Sequence, residues 1–277
     1  MSAAVPRRSQ MRRVGEIDER PQKEQRVAIC RGYRLAFLRH ACQPAVRRVG
    51  WRRARRGDTD GDCQAAAALI RSRHTVVLAG AGISKESGIQ TFRGDGGLWT
   101  TQGEPPMNQY ETFAANSKRW WERWLEDARA GNAFGASIEA AQPNTGHRAL
   151  AKLEEIGRVA HVISQNIDDR HRLAGQRSLT EIHDNRMWMS CVRCGTCWPR
   201  EEFPIDEAAL PPRCSSPGCT GVVKSYTVMF SEPILPLALA RCEVETAQAD
   251  CFITVGTPPS SIPLPPSRSR PLAEASR

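Results

Sequence analysis

The chain has 277 residues, 40% of them hydrophobic and 25% charged, a balance typical of globular proteins that bury a core. No apolar run approaches the roughly 18 residues of a membrane span, and no apolar stretch follows the N-terminal charges as in a secretory signal. We therefore expect a chain that does not cross a membrane and that resides in the cytoplasm.

The net charge of +9 is concentrated near the N-terminus. Residues 1–57 carry 16 Lys and Arg against 4 Asp and Glu, a balance of +12 that leaves −3 for the other 220 residues. We predict a disordered basic extension over residues 1–62, whose last part, 51–62, reads as a linker. Basic arms bind nucleic acid in other proteins. This one has no aromatic interleaving and no helical basic stripe, so nucleic acid is not an expected partner.

Three short, near-continuously apolar runs predict strands that are covered on both faces. They are HTVVLAG (74–80), VAHVISQN (159–166) and CFITVGT (251–257). Helical patterns lie between them, at 117–131 with three tryptophans on one face and at 144–157 with capping residues at its start. Strands alternating with helices predict an α/β fold with a Rossmann-like parallel sheet.

Glycine and polar residues follow each predicted strand at its carboxyl end, where an open parallel sheet binds its ligand. These residues are Gly80, Ala81 and Gly82 after the first strand, Gln165 and Asn166 after the second, and Gly256 and Thr257 after the third. We expect the turn at 80–82 to leave backbone N–H groups free for phosphate. Lys85 replaces the third glycine of the dinucleotide motif, and no acidic residue ends a second strand about 20 positions on, which disfavours a hydride-transferring dehydrogenase.

Four cysteines in two knuckles, Cys191-x2-Cys194 and Cys214-x4-Cys219, predict a structural zinc site, because four thiolates satisfy a tetrahedral ion and leave no position for water. Cys197 is a spare thiol that could compete as a ligand. We predict a zinc module over about 186–226. Its segment 199–213 offers little apolar material, so the metal is expected to hold the module together. Without an export signal, disulfides are the weaker interpretation.

Several strings occur in an order that resembles the sirtuins, the NAD-dependent protein deacylases. They are GAGISKESGIQTFRG, SQNIDDRHRLAG, EIHDN, the four cysteines and VGT. The stretches GEPPMNQYETFAANSKRWWERWL and VVKSYTVMF resemble the bacterial-type members. The resemblance runs from about residue 70 to 263. It implies a Rossmann-like domain with a smaller zinc-ribbon and helical domain, with NAD and an acyl-lysine peptide bound between them. The implied reaction releases nicotinamide and transfers the acyl group to ADP-ribose.

The resemblance also implies roles for individual residues. His183 matches the general base that deprotonates a ribose hydroxyl, a task suited to an imidazole. Ser84 is a candidate helix cap as well as a candidate ligand contact. The positions that match the NAD site are Gly80, Ala81, Gly82, Phe92, Arg93, Gln165, Asn166, Ile167, Asp168, Gly256 and Thr257.

The sequence departs from the family pattern at several points. Asp184 and Ser231 stand where the family has glycine, and Pro258 replaces a serine. We expect the Asp184 carboxylate to raise the pKa of His183 or to crowd the acyl-lysine channel. Residues 258–266 contain five prolines, which do not form central strands, so the C-terminal part of the sheet is expected to be incomplete. We expect the sirtuin-type domain to span 63–263 and a disordered tail to span 264–277.

Two functional interpretations follow. The first is an NAD-dependent protein-lysine deacylase. The alternative is a catalytically impaired remnant that acts at most as a zinc-containing peptide-binding module. ADP-ribosyl transfer, a chemical relative of deacylation, is compatible with the same residues.

Overall fold

The computed structural model describes residues 66–257. The predicted basic extension at 1–62, the tail at 264–277 and the proline-rich stretch from Pro258 lie outside the described residues. The domain bounds of 63–263 stay a prediction.

A parallel sheet of four strands forms the larger part of the described chain. Its strands are β1 (Thr75–Ala79), β2 (His161–Ser164), β3 (Leu179–Glu181) and a last strand at Cys251–Val255, here β7. Their spatial order is β3-β2-β1-β7, and every pair is parallel. The three strands predicted from apolar runs are confirmed. β3 was not predicted, because three residues carry too little apolar pattern to stand out.

Helices connect these strands as the alternating pattern predicted. Residues 66–71 are helical, and a 3-10 helix spans Ala81–Ser87. The α-helices are α1 (Leu98–Gln102), α2 (Gln109–Ala115), α3 (Ser117–Arg129), α4 (Ala133–Ala140), α5 (Thr145–Glu155), α6 (Arg170–Leu173) and α7 (Pro236–Gln248). The predicted helices at 117–131 and 144–157 correspond to α3 and α5.

A second, antiparallel sheet of three strands carries the cysteines. Its strands are β4 (Asp184–Cys191), β5 (Cys197–Pro199) and β6 (Val223–Thr227), in the order β5-β4-β6. β4 begins three residues after β3 ends, so the chain passes from the parallel sheet into the antiparallel one at residues 182–183. His183 lies at this crossing.

Trp121 of α3 joins the helical region to the cysteine-bearing sheet. Its side chain is fully buried, and its indole N–H donates to the carbonyl of Val223 on β6 (3.0 Å). Phe203, Ile205 and Leu210 pack against the same cluster. The expectation that segment 199–213 brings little apolar material was therefore wrong, because its scattered apolar residues bury against a helix that is distant in sequence.

Among the described residues, no helix combines the length and the apolar character that crossing a bilayer requires.

The Trp121 contact gives a first prediction. Trp121→Phe removes the indole donor and leaves the Val223 carbonyl unpaired, so we expect the free energy of unfolding to fall by about 1–3 kcal/mol. Urea denaturation of the zinc-loaded protein measures this change. Trp124→Phe, on the same helix but only partly buried, is the matched control and is expected to lose less. Equal losses in the two variants would contradict the assignment.

Candidate active site and metal centre

The turn after β1 lies directly against the end of β7. The N–H of Gly80 donates to the Val255 carbonyl and that of Gly82 to the Gly256 carbonyl, both at 2.9 Å. A Cβ on Gly82 would lie 2.7 Å from the Gly256 Cα, so no side chain fits there. The expectation that these N–H groups are free for phosphate was wrong for Gly80 and Gly82, because the neighbouring strand end accepts both.

Two side-chain amides after β2 tie the three strand ends together. Gln165 Nε2 donates to Thr257 Oγ1 (3.2 Å) after β7. Asn166 Nδ2 lies 3.3 Å from the Gly80 carbonyl after β1 and 3.2 Å from Ser84 Oγ. The expected convergence of the strand ends on one edge of the sheet is therefore present.

Ser84 and Asp168 form a buried pair beside this edge. Ser84 lies inside the 3-10 helix, and its hydroxyl donates to Asp168 Oδ2 (2.6 Å). Asp168 is 4% exposed, and its Oδ1 accepts from the Arg170 N–H (3.0 Å). The alternative of Ser84 as a helix cap is wrong, because Ser84 lies inside the 3-10 helix, whose N-cap residue is Gly80.

A pocket opens above this pair, with an apolar wall and a polar floor. Its lining residues are Ala81, Ser84, Ile89, Gln90, Phe92, Phe134, Ile138, Asn166, Ile167 and Asp168. Arg93 lies apart from it, since its guanidinium pairs with Glu104 (2.9 Å) and stacks over the Trp99 ring at 4.5 Å. The structure thus brings most of the predicted NAD residues to one edge and leaves Arg93 on the exposed surface.

His183 is held in the form that a base requires. Its Nδ1 lies 2.9 Å from the Gln165 carbonyl. A carbonyl only accepts, so Nδ1 carries the hydrogen and Nε2 keeps its lone pair. Burial lowers the pKa of His183, and the bond to the Gln165 backbone opposes this in part. The imidazole is therefore neutral near pH 7.

Asp184 does not act on His183 as expected. Burial raises the pKa of Asp184 itself to about 7, while Lys224 and a hydrogen bond with Tyr226 oppose the rise. Burial lowers the pKa of His183, the bond to the Gln165 backbone opposes this in part, and Asp184 is not among the causes. The expectation of a raised His183 pKa was wrong, because burial of the imidazole outweighs any effect of the neighbouring carboxyl.

The four predicted zinc ligands converge. Their sulfur atoms all lie within 4.8 Å of one another, with Cys191 and Cys219 at 3.7 Å and Cys194 and Cys214 at 3.6 Å. A tetrahedron with Zn–S bonds of about 2.3 Å has S–S edges of about 3.8 Å, so the cluster fits zinc. Backbone N–H groups point at three of the sulfurs, which favours thiolates. Cys197 lies outside the cluster, with its Sγ donating to the Gly195 carbonyl.

Residues 80–263 match the model of the Sir2 family. The chain belongs to the Sir2 family. An NAD-dependent protein deacetylase of Caldivirga maquilingensis is 37% identical over 218 residues, 77% of this chain and 78% of the relative. The mitochondrial sirtuin-5 deacylase of Canis lupus familiaris is 32% identical over 229 residues, 75% of this chain and 71% of the relative.

Solved sirtuin structures share the fold. A Sir2 complex with a p53 peptide and NAD+ has a TM-score of 0.56 at 30% identity, covering 69% of this chain and 74% of that one. A Sir2 homologue with ADP-ribose has the same TM-score at 32% identity, covering 69% and 72%. The predicted family and its Rossmann-like fold are therefore confirmed.

Asp184 and Ser231, which stand at glycine positions of the sirtuin pattern, both adopt left-handed backbone, with φ of 58° and 67°. Glycine takes this conformation at no steric cost, whereas a residue with a Cβ adopts it at some energetic cost, which is smaller for Asp than for most other residues.

Several residues of this sirtuin site were not found from the sequence. Arg170, 4% exposed, donates to the carbonyls of Asp168 (2.8 Å) and Ile138 (2.9 Å) and so anchors the site loop to α4. His147 and His171 are buried behind Ser84 with their rings 4.9 Å apart. In the sequence, these two histidines stand in short polar strings, NTGH and DDRHR. Such strings are equally compatible with solvent-exposed turns, so they did not mark the histidines as buried.

The metal cluster gives a second prediction. Cys191→Ser removes one of four thiolates, so we expect zinc content to fall from about one per chain towards zero and the protein to unfold at lower temperature. Elemental analysis and thermal unfolding measure both. Cys197→Ser, a matched change in the same module, is expected to retain zinc. Zinc retained by the Cys191 variant and lost by the Cys197 variant would overturn the ligand set.

Asp184 gives a third prediction. Its folded pKa of about 7 lies above the ordinary 3.8, so stability is lost as pH rises through this interval, because the carboxyl ionises in the unfolded chain while the buried carboxyl stays protonated. Asp184→Asn avoids that ionisation and should be more stable than the parent at pH 8, on the order of 1–3 kcal/mol. The difference should vanish near pH 4. Asp184→Gly also relieves the left-handed backbone, so we expect a gain that persists at pH 4; urea midpoints at both pH values check this.

Proposed function

We propose that this chain is an NAD-dependent protein-lysine deacylase that transfers the acyl group to ADP-ribose and releases nicotinamide. One observation carries the proposal: His183, with Nδ1–H held by the Gln165 carbonyl, lies where the parallel sheet and the cysteine-bearing sheet meet, beside the edge that Asn166 and Asp168 also occupy. Membership of a family whose relatives are named NAD-dependent deacetylases and deacylases supports it.

The residues present fit NAD. The pocket combines aromatic and aliphatic walls with three buried polar side chains, Ser84, Asn166 and Asp168, which suits a flat ring that carries a carboxamide. Each Asp168 oxygen accepts one bond from the protein and has capacity for another. Gly256 and Thr257 lie at the end of β7, where the phosphates and the second ribose would lie. When bound, NAD supplies the nicotinamide–ribose bond that breaks and the carbon that receives the acyl oxygen.

The protein's own contribution is orientation and one proton transfer. The Gln165 carbonyl holds the His183 ring, so Nε2 presents a lone pair that takes the proton of a ribose hydroxyl. A lowered pKa keeps this lone pair free near neutral pH. Phe92 and Ile167 line the pocket and exclude water from the cleaved bond.

The substrate we propose is an acyl-lysine in a protein or peptide, as the p53-peptide complex among the solved relatives suggests. The zinc ion, held by Cys191, Cys194, Cys214 and Cys219, would stabilise the smaller domain without touching the reacting atoms. None of the described cysteines forms a disulfide, which is compatible with action in a reducing compartment such as the cytoplasm.

The alternative, a catalytically impaired remnant that keeps zinc and peptide binding, is not favoured. The general base, the buried carboxylate and the strand-end amides lie together at one edge, and the matched relatives are named as deacylases. A remnant would not need a base held in its reactive tautomer.

A fourth prediction tests the function. Purified zinc-loaded protein should release nicotinamide from NAD when an acetyl-lysine peptide is present and not with the unmodified peptide. His183→Ala should lower kcat/KM by about 10²–10⁴-fold, because a general base contributes that much. Retained zinc and an unchanged melting temperature serve as the control for folding.

The products separate the remaining alternatives. O-acyl-ADP-ribose identifies deacylation, whereas ADP-ribose attached to protein identifies ADP-ribosyl transfer. If calorimetry detects no NAD binding to the folded, zinc-loaded chain, the proposal of an active enzyme is wrong and the catalytically impaired remnant is the better interpretation.

A further inference from the structure

A buried lysine lies outside the pocket, on the strand that pairs with the start of β4. Lys224 belongs to β6, is 4% exposed and does not line the pocket. We infer that Lys224 is a positioning residue, whose ammonium clamps the backbone on both sides of Val228 and so fixes the backbone of His183. The inference rests on the proposed function, since the residue that Lys224 positions is the proposed general base.

The main chain of His183 is held by Val228. The N–H of Val228, the residue that follows β6, donates to the His183 carbonyl (3.1 Å). The imidazole Nδ1 of His183 is held separately by the Gln165 carbonyl (2.9 Å). The first bond fixes where the residue lies between the two sheets, and the second fixes which way its ring points. Nε2 is aimed only when both are set, so the position of Val228 bears on the proton transfer.

The ladder between β4 and β6 is irregular close to the proposed base. Asp184 pairs with Thr227, and the next regular pair is Met189 with Ser225. β4 therefore advances five residues where β6 advances two, and the extra residues of β4 interrupt the ladder as a bulge does. The regular exchange of backbone hydrogen bonds is lost in such a stretch. The ladder thus gives this end of β6 little support beyond one pair of residues.

The Lys224 ammonium supplies the missing support. Its Nζ donates to the carbonyls of Thr227 (2.6 Å) and Ser225 (3.3 Å), and it lies 2.9 Å from Glu232 Oε2. An ammonium has three N–H donors, and each of them has an acceptor here. Any movement of the ammonium would leave a buried donor or acceptor unpaired, so its position is well defined.

Glu232 extends the clamp to the other side of Val228. Its Oε2 accepts from the Met229 N–H (2.8 Å), and its own N–H donates to the Met229 carbonyl (3.0 Å). These two bonds close the turn 229–232. The clamp thus holds Thr227 through its carbonyl and Met229 through its N–H, so Val228 is fixed between them.

The clamp is electrostatic as well as geometric. The side chains of Lys224 and Glu232 are both largely buried, so salt and water screen their attraction weakly. The Lys224 charge also acts on Asp184: burial raises the pKa of Asp184, and Lys224 is the largest opposing influence. Removing one partner of a buried pair leaves the other charge unpaired, which destabilises the fold strongly. Neutral replacement of both partners avoids that cost and so separates the stability of the fold from the position of His183.

Two variants and one control separate positioning from stability. Lys224→Met keeps an unbranched side chain of similar length and removes all three donors, but it leaves Glu232 charged and buried. The double variant Lys224→Met/Glu232→Gln also removes that charge, while the amide oxygen can still accept from the Met229 N–H. Trp121→Phe lowers stability through Val223, the neighbour of Lys224 on β6, and leaves the clamp intact.

The measurements on the full zinc-loaded chain are kcat and KM of nicotinamide release and the urea midpoint. We expect Lys224→Met to lower kcat at least about tenfold and to keep the KM for NAD within about threefold of the parent, because the base acts in the transition state. The double variant should recover most of the lost stability and none of the lost kcat. Trp121→Phe should lose stability and keep the parent kcat.

The pKa of His183 gives a second readout, which a residue that only stabilises the fold would not change. Burial lowers this pKa in the parent, and Lys224 is not among its causes. Without the clamp the ring should move and admit water, so the pKa should rise towards the ordinary 6.5 in both Lys224 variants. It should keep the parent value in Trp121→Phe. NMR spectra of the imidazoles, with the His183 signal assigned from His183→Ala, measure it.

Several outcomes overturn the inference. A parent-like kcat in Lys224→Met would do so, and so would a kcat that returns together with stability in the double variant. If neither variant folds, Lys224 serves the fold alone and the inference is wrong. A parent chain without NAD-dependent activity removes the proposed function, but the His183 titration needs no NAD and still decides whether Lys224 positions the ring.

Discussion

The site depends on the direct contact between two glycine backbones at the ends of β1 and β7. Gly82 donates its N–H to Gly256, whose φ of 65° is left-handed and whose added Cβ would lie 2.2 Å from the Ile83 nitrogen. Neither position admits a side chain. Because β2 lies in parallel register on the other side of β1, the loop after β2 ends beside the same turn. The close contact between these two glycines, with β2 beside β1, brings the loops after β1, β2 and β7 together in one surface.

Hydrogen-bond direction then organises the surface. A backbone N–H can only donate a hydrogen bond and a backbone carbonyl can only accept one. Each therefore decides whether the side-chain atom bonded to it is an acceptor or a donor. The Gln165 carbonyl sets the tautomer of His183, and the Asn144 N–H sets the opposite tautomer of His147. One ring is thereby left with a free Nε2 lone pair beside the strand ends, and the other with an Nε2–H behind them. Burial lowers the pKa of both and keeps both neutral.

The two sheets are coupled mechanically as well as through the chain. His183 lies where the backbone leaves β3 for β4, and Trp121 of α3 donates to the Val223 carbonyl on β6. A metal that orders the cysteines therefore also orders the strand that begins next to the proposed base.

Local patterns determined much of this protein. Apolar runs predicted three strands, the spacing of four cysteines predicted a zinc site, and the order of several motifs predicted the family. Tertiary structure alone decided that the glycine N–H groups are occupied, that Arg93 lies on the surface, and that His147 reaches Ser84 63 residues away. Sequence patterns record periodicity and short spacings, because these arise within one element. Hydrogen-bond partners between elements depend on strand register and helix packing, so they exist only in the folded chain.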